Sequence, residues 1–290
     1  MHDYLISVLL GIVEGLTEFL PVSSTAHLKI VGTYLLGERA NSPFWDMYTI
    51  VIQLGAILAL PVFFWKRILK FMSTFPKGER GDRTIVTHPL SLVIIAFVVT
   101  AGPAFLLTKL IGKHLDDLRI IGLAMLIGGV VMWVVDVLAR HPRIHHMEDM
   151  GLLQAIWIGA CQILSAVFPG TSRSMATIAA GQTAGMSRAS ALEFSFFLSM
   201  PTMLVATGYT LYKALRPKHT PGDTMTPLHM SGGDWITLGI GFFVSFIVSV
   251  VVVAWFMHWV RRRGFTPFAI YRIVVGSAVL LWVMTKGTVG

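Results

Sequence analysis

Six stretches of the sequence, at 45–65, 89–112, 118–139, 188–213, 234–259 and 267–286, run apolar almost without interruption. Each is long enough to cross a bilayer core about 30 Å thick, which takes about 20 helical residues. In lipid a helix satisfies every backbone N–H and C=O within its own segment, so long apolar runs at membrane depth dictate helices. The short alternating segments of a membrane β-barrel do not occur. The expected fold is therefore an all-α polytopic membrane protein with about six full spans. The composition agrees, with 54% hydrophobic and 13% charged residues in 290, too few charges for an ordinary soluble domain. The start, Met1-His2-Asp3, lacks the basic region of a cleaved signal peptide and reads as part of the mature chain.

The net charge of +8 sits in the connections between spans. Lys66, Arg67, Lys70, Lys77, Arg80 and Arg83 crowd the loop from Lys66 to His88. Arg140 and Arg143 mark a second connection and Arg261 to Arg263 a third. Cytoplasmic loops carry such an excess and meet anionic headgroups, so membrane lipids are the expected partners. No nucleic-acid-binding motif is present, and nucleic acid is excluded as a partner. The polar stretch from Lys213 to Asp234 then falls outside as a flexible loop, and a short turn near Lys113 to Asp117 joins two spans. The single Cys161 lies in an apolar run and reads as an inert buried thiol.

Two further segment pairs are too short to span: 4–20 with 23–36, and 151–167 with 172–184. Each reads as a re-entrant pair, tolerated at membrane depth only where it is buried in protein or lines a cavity. The first carries G-I-V-E-G-L-T-E-F-L-P-V-S-S-T-A-H over Gly11 to His27; the second turns at F-P-G-T-S-R-S, Phe168 to Ser174. Pro21-Val-Ser-Ser24 and Pro169-Gly-Thr-Ser172 align at an offset of 148, which also pairs Gly11 with Gly159 and Glu14 with Gln162. Each half holds one pair and three spans. An odd number of spans per half inverts the second, so a single domain of two inverted repeats is expected, about 1–140 and 149–290. Such repeats place a site at their interface near the midplane, where the two proline tips would meet. The Gly55 region and Met200-Pro201 are expected to interrupt helices beside them.

Glu14 and Glu18 are four apart and share a helix face, so the pair needs a cation, an arginine or a shared proton. Pro21 ends that helix, and Ser23 or Ser24 is the natural N-cap of the next, with Ser24 and His27 facing the same way. Arg173 deep in a membrane marks a functional site, and its planar fork suits phosphate. Thr171 and Ser172 sit at a helix start, where free N–H groups favour an anion. These parts suit hydrolysis of a phosphoanhydride on a lipid. The two carboxylates would act as acid and base or hold a divalent cation, and Ser24 or His27 would attack, or assist attack, at phosphorus. Elsewhere, Arg188 is expected to snorkel or pair with Glu193, and Arg272 to snorkel or pair near the start of the last span. Gln162, uncharged at the place of Glu14, makes the site one-sided.

The two tip motifs, with E-F-S-F-F-L-S-M-P (Glu193 to Pro201) and P-F-A-I-Y-R (Pro267 to Arg272), resemble the undecaprenyl pyrophosphate phosphatase family of bacteria over nearly the whole chain. The resemblance implies hydrolysis of undecaprenyl pyrophosphate in the bilayer to undecaprenyl phosphate plus inorganic phosphate. That recycles the lipid carrier of cell-wall synthesis and is linked to bacitracin resistance. It implies a multi-pass enzyme of the bacterial inner membrane, a homodimer, dependence on a divalent cation such as Mg2+ or Ca2+, and a site facing the periplasm. Carried over, Glu14 and Glu18 are the acidic pair and the expected metal ligands, Ser24 and His27 the catalytic hydroxyl and imidazole, and Arg173 the phosphate clamp. Ser23, Thr25, Gln53, Thr171, Ser172 and Ser174 are supporting pocket positions. A transporter or flippase of the same carrier lipid, working from the same midplane site, is the alternative, since such architecture also serves transport.

Overall fold

The computed structural model describes residues 2–111, 117–215 and 230–287. Most of the expected Lys113–Asp117 turn and of the Lys213–Asp234 loop lies outside them. Eleven α-helices follow in order among the described residues: α1 (His2–Thr17), α2 (Ser24–Leu36), α3 (Pro43–Phe63), α4 (Trp65–Thr74), α5 (Pro89–Ile111), α6 (Leu118–Leu138), α7 (Leu152–Val167), α8 (Arg173–Thr183), α9 (Arg188–Leu215), α10 (Gly232–Arg263) and α11 (Thr266–Gly287). Six of them, α3, α5, α6, α9, α10 and α11, are long and apolar enough to cross a membrane. The chain is a polytopic all-α membrane protein.

Local chemistry sets the helix boundaries. Asp117 caps α6 by accepting from Arg119 N at 2.8 Å, and Ser231 with Asp234 forms a reciprocal cap on α10. Arg261 to Arg263 occupy the last turn of α10, where cations complement the helix dipole, and Gly264 (φ 70°) stops it.

The short helices thread into the bundle from its two ends. Ser7 of α1 donates to Thr237 O, and Gly11 and Gly15 lie against Gly241 and Val248, so α1 starts beside the start of α10 and stops near its middle. The start of α7 lies at the other end. Just before it, Asp149 accepts from Arg80 at 3.3 Å and the Met150 carbonyl from Arg83 at 3.4 Å, both from the α4–α5 connection. Gly159 of α7 packs on α5, where a Cβ would come within 2.5 Å of Ala96 O.

Three expectations are corrected. First, α3 and α9 run through Gly55 and Pro201 unbroken. Gly55 instead permits close crossing of α10, since a Cβ there would meet Ser245 Oγ at 2.4 Å and Phe242 O at 2.5 Å. At Pro201 the missing N–H would have bonded Phe197 O, and the helix continues through that single lost bond. Second, the basic loop from Lys66 opens with a helix, α4. It buries Phe71 and exposes Trp65, Leu69 and Met72, a helical spacing that the density of basic residues masked. Third, Arg188 and Glu193 do not pair with each other. Arg188 binds Asp136 at 2.6 Å and Glu193 binds Arg67 at 2.9 Å, because α6 and α4 present those partners at the same end of the bundle.

Candidate active site

The two tips meet inside the bundle. Each ends in a serine with left-handed backbone, Ser23 (φ 72°) and Ser172 (φ 68°). Non-glycine residues adopt that conformation rarely, and mostly where surrounding structure enforces it for function. The two serines are 149 apart, one step beyond the spacing of the prolines. Ser24 and Arg173 therefore hold matching positions as the first residues of α2 and α8. At both helix starts the first-turn N–H groups lack intrahelical partners, a ready surface for an anion. Ser172 caps α8 through Met175 N; Ser23 makes no side-chain cap, so its part in α2 is conformational.

Glu18 joins the two tips. Its Oε2 accepts from Ser24 Oγ at 2.5 Å and its Oε1 from Arg173 Nη2 at 2.8 Å. Arg173 keeps Nε and Nη1 buried and without hydrogen-bond partners, so most of its fork is uncommitted. Ser174 Oγ donates to Leu20 O at 3.1 Å and lies 3.1 Å from Ser172 Oγ, a second link between the tips. Glu14 is fully buried, with neither carboxylate oxygen hydrogen-bonded. A bare carboxylate in such a place needs a proton or a cation.

His27 departs from the expected Ser–His pairing. Its Nδ1 lies 2.8 Å from Ser23 O, an acceptor only, so Nδ1 carries the proton. Nε2 then accepts from the Tyr271 hydroxyl at 2.6 Å, with the two rings stacked. Three residues of separation along α2 let Ser24 and His27 face one side, but Glu18 takes the hydroxyl first. Thr25 is exposed, and Gln53 is half-buried on α3 with no hydrogen bond among the described residues. Thr171 is buried at the second tip. Gln162, on α7, bonds Thr202 at 3.2 Å and leaves its carbonyl oxygen unpartnered.

Sequence reasoning missed two residues of this centre, Tyr271 and Arg272. Arg272 neither snorkels nor pairs with a carboxylate among the described residues. It is wholly buried, donating to Pro21 O at 3.2 Å and to Gly170 O and Ala124 O at 3.1 Å each. Its place early in a span suggested reach to the interface; the available signal was the paired Gly128-Gly129 on α6, which leaves room for a guanidinium.

For a divalent cation, the described residues contain no group of three or more His, Cys, Asp or Glu side chains that could form a complete site. Glu14 and Glu18 fit a shallower role. Mg2+ commonly uses one or two carboxylates and takes its remaining ligands from water and phosphate oxygens. The orphaned Glu14 oxygens are consistent with that donor set.

Known proteins similar to this chain share one family. The family model described as bacitracin resistance protein BacA matches residues 7–278. A protein of Koribacter versatilis named undecaprenyl-diphosphatase is 62% identical over 287 residues, covering 99% of this chain and 100% of the relative. An undecaprenyl-diphosphatase of Caldanaerobacter subterraneus is 38% identical, covering 96% and 95%. An undecaprenyl-diphosphatase 2 of Paramagnetospirillum magneticum is 40% identical, covering 97% and 99%. With both tips, their connecting carboxylate and all spanning helices up to the middle of α11 inside the matched region, the chain belongs to the BacA family of bacitracin resistance proteins.

Proposed function

We propose that the joined tips hydrolyse undecaprenyl pyrophosphate to undecaprenyl phosphate and inorganic phosphate, with Ser24 as nucleophile and Glu18 as its base. The bridge from Ser24 through Glu18 to Arg173 carries this reading. Ser24 Oγ attacks the terminal phosphorus while its proton passes to Glu18 Oε2. The bond to the bridging oxygen breaks, and undecaprenyl phosphate leaves. Glu18 then delivers that proton to solvent, takes one from the water that attacks the phosphoserine, and hands it to Ser24 Oγ as the P–Oγ bond breaks, so the hydroxyl and carboxylate are restored and phosphate is released. The free donors of Arg173 and the N–H groups at both helix starts face the equatorial oxygens, where charge spreads in the transition state. Ser172, Ser174 and Thr171 shape the second tip around them, and Ser23 the first. His27, already bonded on both nitrogens, orients the first tip and exchanges protons through Tyr271. Glu14 and Glu18, with diphosphate oxygens, would hold Mg2+ or Ca2+, which when bound neutralises substrate charge.

The reading includes two inverted repeats, about 1–140 and 149–290, supported by the entry of α1 and α7 from opposite ends of the bundle. It places the protein in the bacterial inner membrane with the first tip open to the periplasm. Support comes from the basic connections, which gather at the end away from α1 and belong in the cytoplasm. The homodimer remains an expectation of the family resemblance, to be checked by the mass of the detergent-solubilised particle. Transport of the same lipid requires no hydroxyl held against a carboxylate, so the Ser24–Glu18 bond favours the enzyme.

The test is phosphate release by purified protein from undecaprenyl pyrophosphate. Ser24→Ala should lose at least about 10³-fold in kcat, and Arg173→Ala about 10²–10³-fold. Wild-type rates in both would overturn the assignment. A chelator should abolish release, and Mg2+ or Ca2+ restore it.

A further inference from the structure

We propose that Arg272 is the positioning residue that fixes the two tips at their working separation, acting through its guanidinium fork on backbone carbonyls. The proposal rests on the phosphatase reading above and adds a device to it. Arg272 Nη1 donates to Pro21 O, and Nη2 donates to Gly170 O and to Ala124 O on α6. Pro21 and Gly170 each stand two residues before the left-handed serine of their tip. One planar group thus grips the corresponding carbonyl of both tips and ties them to a spanning helix. Only a guanidinium presents separate N–H groups in a rigid plane that can serve three acceptors at once.

The surroundings are shaped for this grip. Arg272 is entirely buried and meets no carboxylate among the described residues, so it is not there to neutralise a partner. Burying a guanidinium on carbonyls alone is expensive and persists only where the geometry is worth keeping. On α6, a Cβ at Gly128 would lie 2.4 Å from Nη2, and one at Gly129 would lie 3.0 Å from Arg272 Cβ. Gly170 has φ +93° and comes so close to α6 that a Cβ would meet Ile121 O at 2.6 Å. The second tip is thereby pressed against α6 at the point where the fork holds it. The direct contact of Glu18 with Arg173 at 2.8 Å is then held in register from behind by Arg272.

Four full-length variants, Arg272→Lys, Arg272→Met, Gly128→Ala and the Arg272→Lys/Gly128→Ala double, test this in detergent with undecaprenyl pyrophosphate. Gly128→Ala keeps Arg272 and every residue of both tips unchanged in identity, while its methyl would meet Arg272 Nη2 at 2.4 Å and the flexible end of Met175 at 2.7 Å. Arg272→Lys and Gly128→Ala should lower kcat on the order of 10–100-fold, the scale of a misplaced reacting group. KM should stay within about threefold, since the phosphate-binding groups remain. The double variant should be no worse than Arg272→Lys alone, because both changes remove one grip. Wild-type kcat per folded molecule in Arg272→Lys and Gly128→Ala overturns the proposal, even if thermal stability drops. So does a double variant whose defects multiply. If the Arg272 variants fail to fold, Gly128→Ala decides alone. A wild-type protein that releases no phosphate, or an Arg173→Ala variant that keeps full activity, would instead indict the phosphatase reading.

Discussion

Glu18 holds a hydroxyl on one oxygen and a guanidinium on the other, and neither contact survives an amide unchanged. In Glu18→Gln one of the two donors faces an NH2 group and the base is gone. Phosphate release should fall about 10²–10⁴-fold, the range for a lost general base. The His27 contacts predict an ordering of variants. Because His27 touches Ser23 O and Tyr271 rather than Ser24, His27→Ala should keep more activity than Ser24→Ala. Tyr271→Phe removes one hydrogen bond worth about 0.5–1.5 kcal/mol, so its loss should stay within about tenfold. If His27→Ala were the deader of the two in a burst-phase assay, the nucleophile assignment would reverse. That Glu14, Glu18, Ser24 and Arg173 would gather at the tips was legible in the sequence, because polar groups in an apolar run demand a reason. The division of labour among them was not, because spacing says which side chains share a face and not which partner arrives first. Arg272 was illegible for a related cause: its acceptors are carbonyls, and every residue has one.

At the level of helices, close crossings and caps set stability, and both can be probed away from the tips. Gly55→Ala would push a methyl against the Phe242 carbonyl and the Ser245 hydroxyl where α3 crosses α10. Overpacking of this kind costs about 1–3 kcal/mol, so the melting temperature in detergent should fall measurably while the tips keep their chemistry. His88 caps α5 by accepting from Leu90 N through Nδ1 at 3.3 Å, which requires a neutral ring. Burial, helped by the nearby Arg83, holds its pKa below the ordinary 6.5. The unfolded chain therefore takes up the proton first as pH falls. The stability His88 contributes is complete above about pH 6.5 and drains away as the pH drops from there toward the lowered value. His88→Asn keeps a cap acceptor without the titration and should flatten that part of a thermal-melt profile across pH 7 to 5; an unchanged slope would remove His88 as the cause. The spans themselves were legible to within a few residues, since hydropathy measures what lipid requires. The unbroken course of α9 was not, because a membrane helix re-satisfies the groups that Pro201 frees with neighbours that a one-dimensional pattern does not contain.

The whole molecule is polarised by where its charges are tied down. Arg67 binds Glu148 at 2.6 Å and Glu193 at 2.9 Å, Arg80 binds Asp149, and Asp136 gathers Arg188 with the N–H groups of Phe265 and Thr266. The connections after α3, α6, α8 and α10 are thus laced into one end of the bundle. At the other end Arg39 binds Asp3 at 2.8 Å, beside the start of α1. In the proposed orientation the end rich in lysine and arginine lies in the cytoplasm, and the first tip would be reached from the opposite leaflet, where a spent carrier lipid would present its diphosphate. Glu38 and Arg80 are both exposed, one at each end, and report on this directly. In a Cys161→Ala background, Glu38→Cys in intact spheroplasts should react with a membrane-impermeant maleimide, and Arg80→Cys only after the membrane is opened. Labelling of Arg80→Cys alone in intact spheroplasts would turn the protein over and put the first tip in the cytoplasm. Labelling of both would mean that the two connections share a face, which the threading of α3 across the membrane forbids.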